Sequence, residues 1–469
     1  MPENYDLIVR NATVFTATDR MRCDIGVRNG KIAALAEGLN RAGKEIDAKG
    51  FLVLPGGIDS HCHIEQKSST GLITADDFHT CGISAACGGT TTLMPFVAPH
   101  RGQSLRGEYG SYLERAQRQS IVDFAFHIIV SDPTDQILEK ELPEVIHDGC
   151  PSFKVYTTYD SLKLTDRQIL EVLFLARRER ALVMVHAENS DAISWLTDGL
   201  IRAGNCAPRF HAISRPPVVE REATHRIISL AELVDVPILI VHVSAEESLE
   251  QIRWARNRGL PVYAETCPQY AVLTERDLDR PGFEGAKYIC SPPLRSEADR
   301  RAVWDAIIGE VVQVFSSDHA PYRFRDPQGK QASGDHAPFN KVPNGMPGLE
   351  TRLPILFSEG VNKGRIDIHR FVALAATNAA KIYGLFPQKG TIAVGSDADL
   401  VLWDPVREVI ITKDILHDTM DYTPYEGMKI TGWPVTTLSR GEIIWANGAI
   451  SASPGRGRFV RRQPGAHVI

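Results

Sequence analysis

Long apolar runs, paired cysteines and a basic surface are all missing from this 469-residue chain. Without a stretch of about 18 consecutive apolar residues, no transmembrane helix is expected. The eight cysteines form no CxxC pair and no regular spacing. Neither a disulfide framework nor a structural zinc knot is therefore indicated, and reduced thiols in a cytosolic protein are the simpler reading. A formal charge of −6 gives no field for holding a nucleic-acid backbone. The run Arg456-Gly457-Arg458-Phe459-Val460-Arg461-Arg462 is a local exception, and so few charges point to a solvated or subunit-contacting tail. The start, Met1-Pro2-Glu3-Asn4-Tyr5-Asp6, lacks the basic segment and apolar core of a secretion signal, so a cytoplasmic location is expected. With 43% hydrophobic and 23% charged residues, the composition also excludes pervasive disorder.

At roughly 150 residues per domain the length allows two or three units, and a barrel of about 250 residues or more with an accessory domain fits equally well. Short alternating segments at 5–9, 24–27 and 31–35 open the chain, with Asn29-Gly30 where a hairpin turn belongs. A matching β set returns at 390–392, 399–403, 409–412 and 442–445, separated by Gly, Asp and Pro. Residues 1–55 and 386–469 are thus expected to form one small β-sandwich domain, ending in the basic tail, around a catalytic unit at 56–385.

That unit alternates apolar runs with helix-length stretches. Eight runs have strand character, at 57–63, 90–96, 123–130, 152–157, 182–188, 237–243, 261–266 and 311–318, and eight strands close a (β/α)8 barrel of the α/β class. They are nearly continuous in hydrophobic residues, as strands buried on both faces must be. Between them, 165–180, 221–233 and 245–258 repeat apolar residues at the helical period. Segment 322–348, rich in Gly, Pro, Asp and Asn, has no period, and after the eighth strand such a loop lies over the barrel mouth.

Polar residues collect at the C-terminal ends of these strands, where barrel enzymes place their chemistry. His61 and His63, two apart on a strand, project from one face and can chelate one ion, while Cys62 points the other way. A lone HxH is common in a chain with 15 histidines. His186 and His242, however, each end an apolar strand as well, and the set favours a shared metal centre over satisfied core histidines. Asp318 ends the last strand, where a carboxylate either caps the next helix or binds a metal and passes a proton. His319 beside it has an orienting or backbone-bonding role and is no ligand.

Lys154, within Ser152-Phe153-Lys154-Val155-Tyr156, is the most informative residue. An ammonium among Phe and Val is costly, and ordinarily snorkels or pairs. It also has no lone pair for a cation. Burial depresses it toward the neutral amine, which can react with carbon dioxide. The resulting carbamate has two oxygens that can bridge ions roughly 3.5–4 Å apart. Beside four histidines and Asp318, a carbamate accounts for this lysine better than snorkelling does.

With those residues assembled, the chain resembles the cyclic amidohydrolases of the dihydropyrimidinase and hydantoinase group over nearly its whole length. The resemblance is carried by Pro55-Gly56-Gly57-Ile58-Asp59 before His61-Cys62-His63, by Gly88-Gly89-Thr90-Thr91-Thr92, by Ser152-Phe153-Lys154-Val155 and by Val185-His186-Ala187-Glu188-Asn189. Further along it rests on His211-Ala212-Ile213-Ser214-Arg215-Pro216-Pro217, Ala264-Glu265-Thr266-Cys267, Ser316-Ser317-Asp318-His319 and Pro343-Asn344-Gly345.

The resemblance implies that His61, His63 and Asp318 hold one zinc, that His186 and His242 hold a second, and that carboxylated Lys154 bridges them, with no organic cofactor. Tyr159 takes the place of an oxyanion-stabilising tyrosine. Ser291 and Asn344 take the place of residues that hold the cyclic amide through backbone groups. The implied reaction is hydrolytic opening of dihydropyrimidines and 5-substituted hydantoins to N-carbamoyl amino acids. Asp318 relays the proton to the leaving nitrogen. A homotetramer, or a dimer, is the implied assembly.

Relatives differ at single positions. A dihydroorotase would place arginine two positions past the HxH, where this chain has Glu65. Allantoinases share the metal scaffold but usually lack Ser-Phe-Lys-Val followed by a tyrosine. Dihydropyrimidinase-like scaffold proteins lack parts of the metal set, and a mononuclear deaminase-like enzyme would dispense with the lysine. The mouth segment Ile64-Glu65-Gln66-Lys67-Ser68-Ser69 and the pair Thr157-Thr158 depart from the less polar hydantoinase pattern and imply a smaller or more polar pocket for the ring substituent. Tyr156 keeps the aromatic position.

Overall fold

The computed structural model describes residues 5–68 and 71–465; Ser69 and the first four residues lie outside it. Strands from both ends of the chain share one nine-stranded sheet. Its core includes Leu7, Val9, Val14, Ile25, Val53, Leu400, Leu402 and Leu438. The hairpin between Arg20–Arg28 and Lys31–Ala36 turns at Asn29 and Gly30, with φ of 52° and 75°, as a two-residue turn of this hand requires. Leu52–Pro55 joins the two ends: it runs parallel to Leu7–Phe15 on one side and antiparallel to Leu400–Ile410 on the other.

Two details of the returning β set differ from the sequence expectation. Residues 390–392 form no strand. Gly390 sits at φ 81°, where a Cβ would come within 2.5 Å of Ala380 Cβ, although Ile392 still packs into the sheet core. The long strand Lys429–Ser439 was masked by Gly432 and Pro434, which interrupt its apolar pattern. A register shift opposite Trp403 accommodates the proline.

The second sheet is the barrel. Its strands are Gly57–Cys62, Thr90–Val97, a third strand broken into Asp123–Phe124 and His127–Ile129, then Ser152–Tyr156, Leu182–His186, Ile238–Ile240, Val262–Thr266 and Val314–Phe315. All neighbours run parallel. The ring closes where Cys62 bridges His319 and His63 N–H donates to His319 O at 2.8 Å. Phe153, Val155, Val183 and Val185 pack outward against the helices, whereas Tyr156, Leu182 and Met184 fill the interior. That period-two alternation puts Lys154 inside. The helix expected at 165–180 is Asp166–Glu179, started by a Thr165 and Gln168 capping box and stopped by Arg180 in the left-handed region.

The basic tail is only partly solvated: Arg458 and Arg461 are exposed, while Arg462 is buried. Arg458 and Val460 pair through their backbone with Phe124, and Arg458 N–H donates to Asp123 Oδ1 at 3.0 Å. Arg462 is 2% exposed, with its guanidinium on Ser152 Oγ at 2.9 Å and on the Phe126 carbonyl. The backbone of Arg458 and Val460 and the side chain of Arg462 thus cover the starts of the third and fourth barrel strands, while the Arg458 and Arg461 side chains face solvent. The eight cysteines make no disulfide. Among the described residues, no helix is long and apolar enough to cross a membrane.

Candidate active site

At the opposite end of the barrel the strand ends converge on a cavity of about 370 Å³. His63, Lys154, His186, His242 and Asp318 line it together with Tyr159, Ser291 and Asn344. His61 lies fully buried beside it. Lys154 Nζ is 2.7 Å from His61 Nε2, and Asp318 Oδ1 lies 3.2 Å from that nitrogen and 3.1 Å from His63 Nε2. The imidazoles follow one another, with centroid spacings of 5.4 Å from His61 to His63, 5.3 Å from His61 to His242 and 4.5 Å from His242 to His186. Every expected site residue is thus brought together.

Three of these residues occupy left-handed backbone: His242 at φ 40°, Asp318 at 47° and Tyr159 at 68°. Such conformations cost energy in non-glycine residues and persist where the surroundings impose them. At His242 the turn has a visible effect. Leu239 and Val241 face the interior, so strict alternation would send residue 242 outward, and the reversed φ returns its ring to the centre. The strand-like runs expected at 237–243 and 311–318 are shorter in the structure, Ile238–Ile240 and Val314–Phe315, and the residues with reversed φ lie beyond their ends.

Supporting groups fix each ring. His61 Nδ1 pairs with Glu265 Oε1 at 2.5 Å, His63 Nδ1 donates to Gln66 Oε1 at 2.5 Å, and His186 Nε2 donates to Glu188 Oε2 at 2.8 Å. The same Glu188 oxygen accepts from Arg215 at 2.8 Å and from Ser291 Oγ at 2.7 Å. The sequence pattern assigned no role to Glu265, Glu188 or Arg215. A carboxylate embedded in an otherwise apolar strand end was the available signal for the two acids.

Burial governs the protonation states. It lowers the Lys154 ammonium to about 8 against the pull of Asp318 and Glu265. It holds His61, His186 and His242 below their ordinary range, so their lone pairs are free for a cation. Burial also pushes Glu265 up to about 8 and Tyr159 up to about 12, which leaves the tyrosine a neutral donor. For Glu188, burial is overcome by Arg215 and His186, which keep the carboxyl well below its usual range.

These residues fit divalent cations. Donor atoms of His61, His242 and Asp318 lie within 4.8 Å of one another, and His242 Nδ1 is buried without a hydrogen-bond partner. His319 is otherwise engaged, with Nε2 on Asp76 at 3.0 Å and Nδ1 accepting from Gly348 N–H at 3.1 Å. Because Glu265 orients His61, the Glu265→Gln variant is expected to bind its metal 10- to 100-fold more weakly, roughly, as outer-shell partners generally do, measurable by competition with a chelator.

Two sequence expectations about the pocket are corrected. Thr157 and Thr158 do not line the cavity; Thr157 Oγ1 instead donates to the Glu188 carbonyl at 2.8 Å and accepts from its N–H. Polarity at the mouth comes from Gln66, Lys67, Ser68, His100 and Ser161, with Leu162 and Tyr322 as apolar lining. Glu65 turns away and pairs with Arg115 at 2.9 Å.

Comparison with known proteins gives the family. The amidohydrolase family model matches residues 52–444. A D-hydantoinase of Ralstonia pickettii is 46% identical over 460 residues, spanning 98% of this chain and 99% of its own. A solved D-hydantoinase structure superposes with a TM-score of 0.95 at 45% identity, over 98% of this chain and 99% of that one. The crystal structure of dihydropyrimidinase from Brevibacillus agri gives 0.94 at 42%, over 97% and 98%. Strand ends, buried histidines and full-length similarity agree: the chain belongs to the amidohydrolase family, in its hydantoinase and dihydropyrimidinase group.

Proposed function

We propose that this chain is a binuclear zinc hydrolase that opens 5-substituted hydantoins and dihydropyrimidines to N-carbamoyl amino acids, acting in the cytoplasm as a homotetramer. The observation that carries the reading is Lys154, a buried lysine with a lowered ammonium pKa, aimed into a cluster of neutral imidazoles. As a carbamate it would carry one negative charge shared by two oxygens, and with it His61, His63 and Asp318 would hold one ion and His186 and His242 the other. Bound zinc would supply an activated water and polarise the ring carbonyl.

The chain's own groups do the rest. Asp318 accepts the proton of the attacking water and returns it to the leaving ring nitrogen, a role suited to a carboxylate held between two imidazoles. Tyr159 stays protonated and donates to the oxygen on which charge develops. Its hydroxyl accepts from Asn344 Nδ2 at 3.2 Å, which aims it across the cavity. Ser291 and Asn344 hold the ring through their backbone. Relatives named D-hydantoinase, D-phenylhydantoinase and dihydropyrimidinase support this substrate class. Glu65, turned toward Arg115, leaves no arginine there to grip a ring carboxylate.

Purified protein reconstituted with zinc and bicarbonate is expected to bind two zinc ions per chain and to hydrolyse hydantoin, 5-phenylhydantoin and dihydrouracil in preference to allantoin. Absence of turnover on all three at full zinc loading would sink the reading.

A further inference from the structure

We infer that Lys330 is a positioning residue for substrate binding: it ties the chain segment carrying Ser291 to the loop segment carrying Asn344. This rests on the proposed role of those two residues in holding the ring.

Lys330 lies in segment 322–348 and is 0% exposed. Among the described residues no carboxylate pairs with it. Instead its Nζ donates to the carbonyl of Ile289 at 2.8 Å and to the carbonyl of Pro343 at 2.8 Å. Ile289 stands two residues before Ser291, and Pro343 immediately precedes Asn344. The Ile289 carbonyl accepts a second bond, from Gly345 N–H at 3.0 Å. One oxygen thereby joins both segments, with the lysine bracing it. Pro343, Asn344 and Gly345 all line the cavity, as does Ser291. Gly345 has no room for a side chain: at φ 141° a Cβ would meet the Ala320 carbonyl at 2.5 Å.

The lysine is itself held from behind. Its backbone N–H donates to Arg323 O at 2.8 Å, and the preceding Gly329 packs so closely that a Cβ would come within 1.9 Å of that same carbonyl. An ammonium without an acid is an expensive way to fill a buried position, and burial pushes this amine down to about 7. An apolar side chain of equal length would fill the space but leave two buried carbonyls short of a donor. Both the charged and the neutral amine carry at least two N–H groups, so the clasp holds in either state and adds no limb to the pH profile.

The test uses full-length, zinc-loaded Lys330→Met and Lys330→Ala proteins. The Met variant is expected to keep the wild-type zinc content and to raise KM for hydantoin about tenfold, with a smaller change in kcat. Amide hydrogen exchange should quicken at 343–346, where Gly345 N–H loses its braced acceptor. In the Ala variant, added n-propylammonium should lower KM again, with no such effect on wild type. A KM within twofold of wild type, or unchanged exchange at 343–346, overturns the inference. Should the Met variant not fold, the Ala variant refolded with n-propylammonium decides: a KM returning toward wild type supports the clasp, and none overturns it. If wild type itself fails to open hydantoin, the functional reading falls, while the exchange measurement still decides whether Lys330 joins the two segments.

Discussion

Replacing Lys154 by alanine is expected to abolish both metal loading and turnover, with kcat/KM falling by at least about a thousandfold. The variant removes the amine whose carbamate would supply the bridging oxygens, while leaving the surrounding imidazoles in place. Zinc content and hydantoin hydrolysis measure the outcome together. A variant that keeps two zinc ions and activity would show the lysine to be structural. The route to the modified lysine adds a pH dependence. The ammonium is lowered by burial to about 8, so the neutral amine that reacts with carbon dioxide prevails above that pH and declines below it. At fixed dissolved carbon dioxide, reconstitution of metal-stripped protein should therefore quicken up to about pH 8 and level off beyond. A rate insensitive to pH between 6 and 8 would contradict this.

Asp318→Asn is expected to cut kcat by roughly 10²- to 10⁴-fold, the range typical for loss of a general acid–base group. The substitution preserves shape and one ligand oxygen but cannot accept a proton. Its carboxylate lies 3.1 Å from His63 and 3.2 Å from His61 on a turn held at φ 47°, so the amide should occupy the same place. Zinc content close to wild type with KM little changed would assign the loss to the proton relay. A kcat within about tenfold of wild type would remove Asp318 from that role.

The barrel was legible because its strands are buried on both faces, which writes them as apolar runs, and because its ligands sit where those runs end. His61, His63 and His186 could be placed by strand position alone, whereas Asp318 lies past its strand on a reversed φ. His242 could be named but not aimed, since its ring reaches the centre only through a reversed φ, which no residue pattern announces. Glu265 and Glu188 interrupt apolar runs just as Lys154 does, yet most of their partners, His61 for Glu265 and Arg215 and Ser291 for Glu188, lie far along the chain. Thr157 misled for a related reason: a hydroxyl at a strand end looks like pocket lining until its bonds to the Glu188 backbone are seen. Arg462 was read as a surface charge because charge runs usually are, and only tertiary contact shows it beneath the barrel.

Leu52–Pro55 and the segment around Arg462 set an order of events during synthesis. Leu52–Pro55, once paired with Leu7–Phe15, must wait for Leu400–Ile410, nearly 350 residues later, before its second edge is covered. The barrel floor stays open until Arg458 and Val460 reach Phe124. A ribosome-bound chain stalled before residue 456 would therefore expose one unpaired floor, and such long-range closure is slow and prone to mispairing. Arg458 and Val460 thus act late, as a latch on a barrel whose other strands are made long before them.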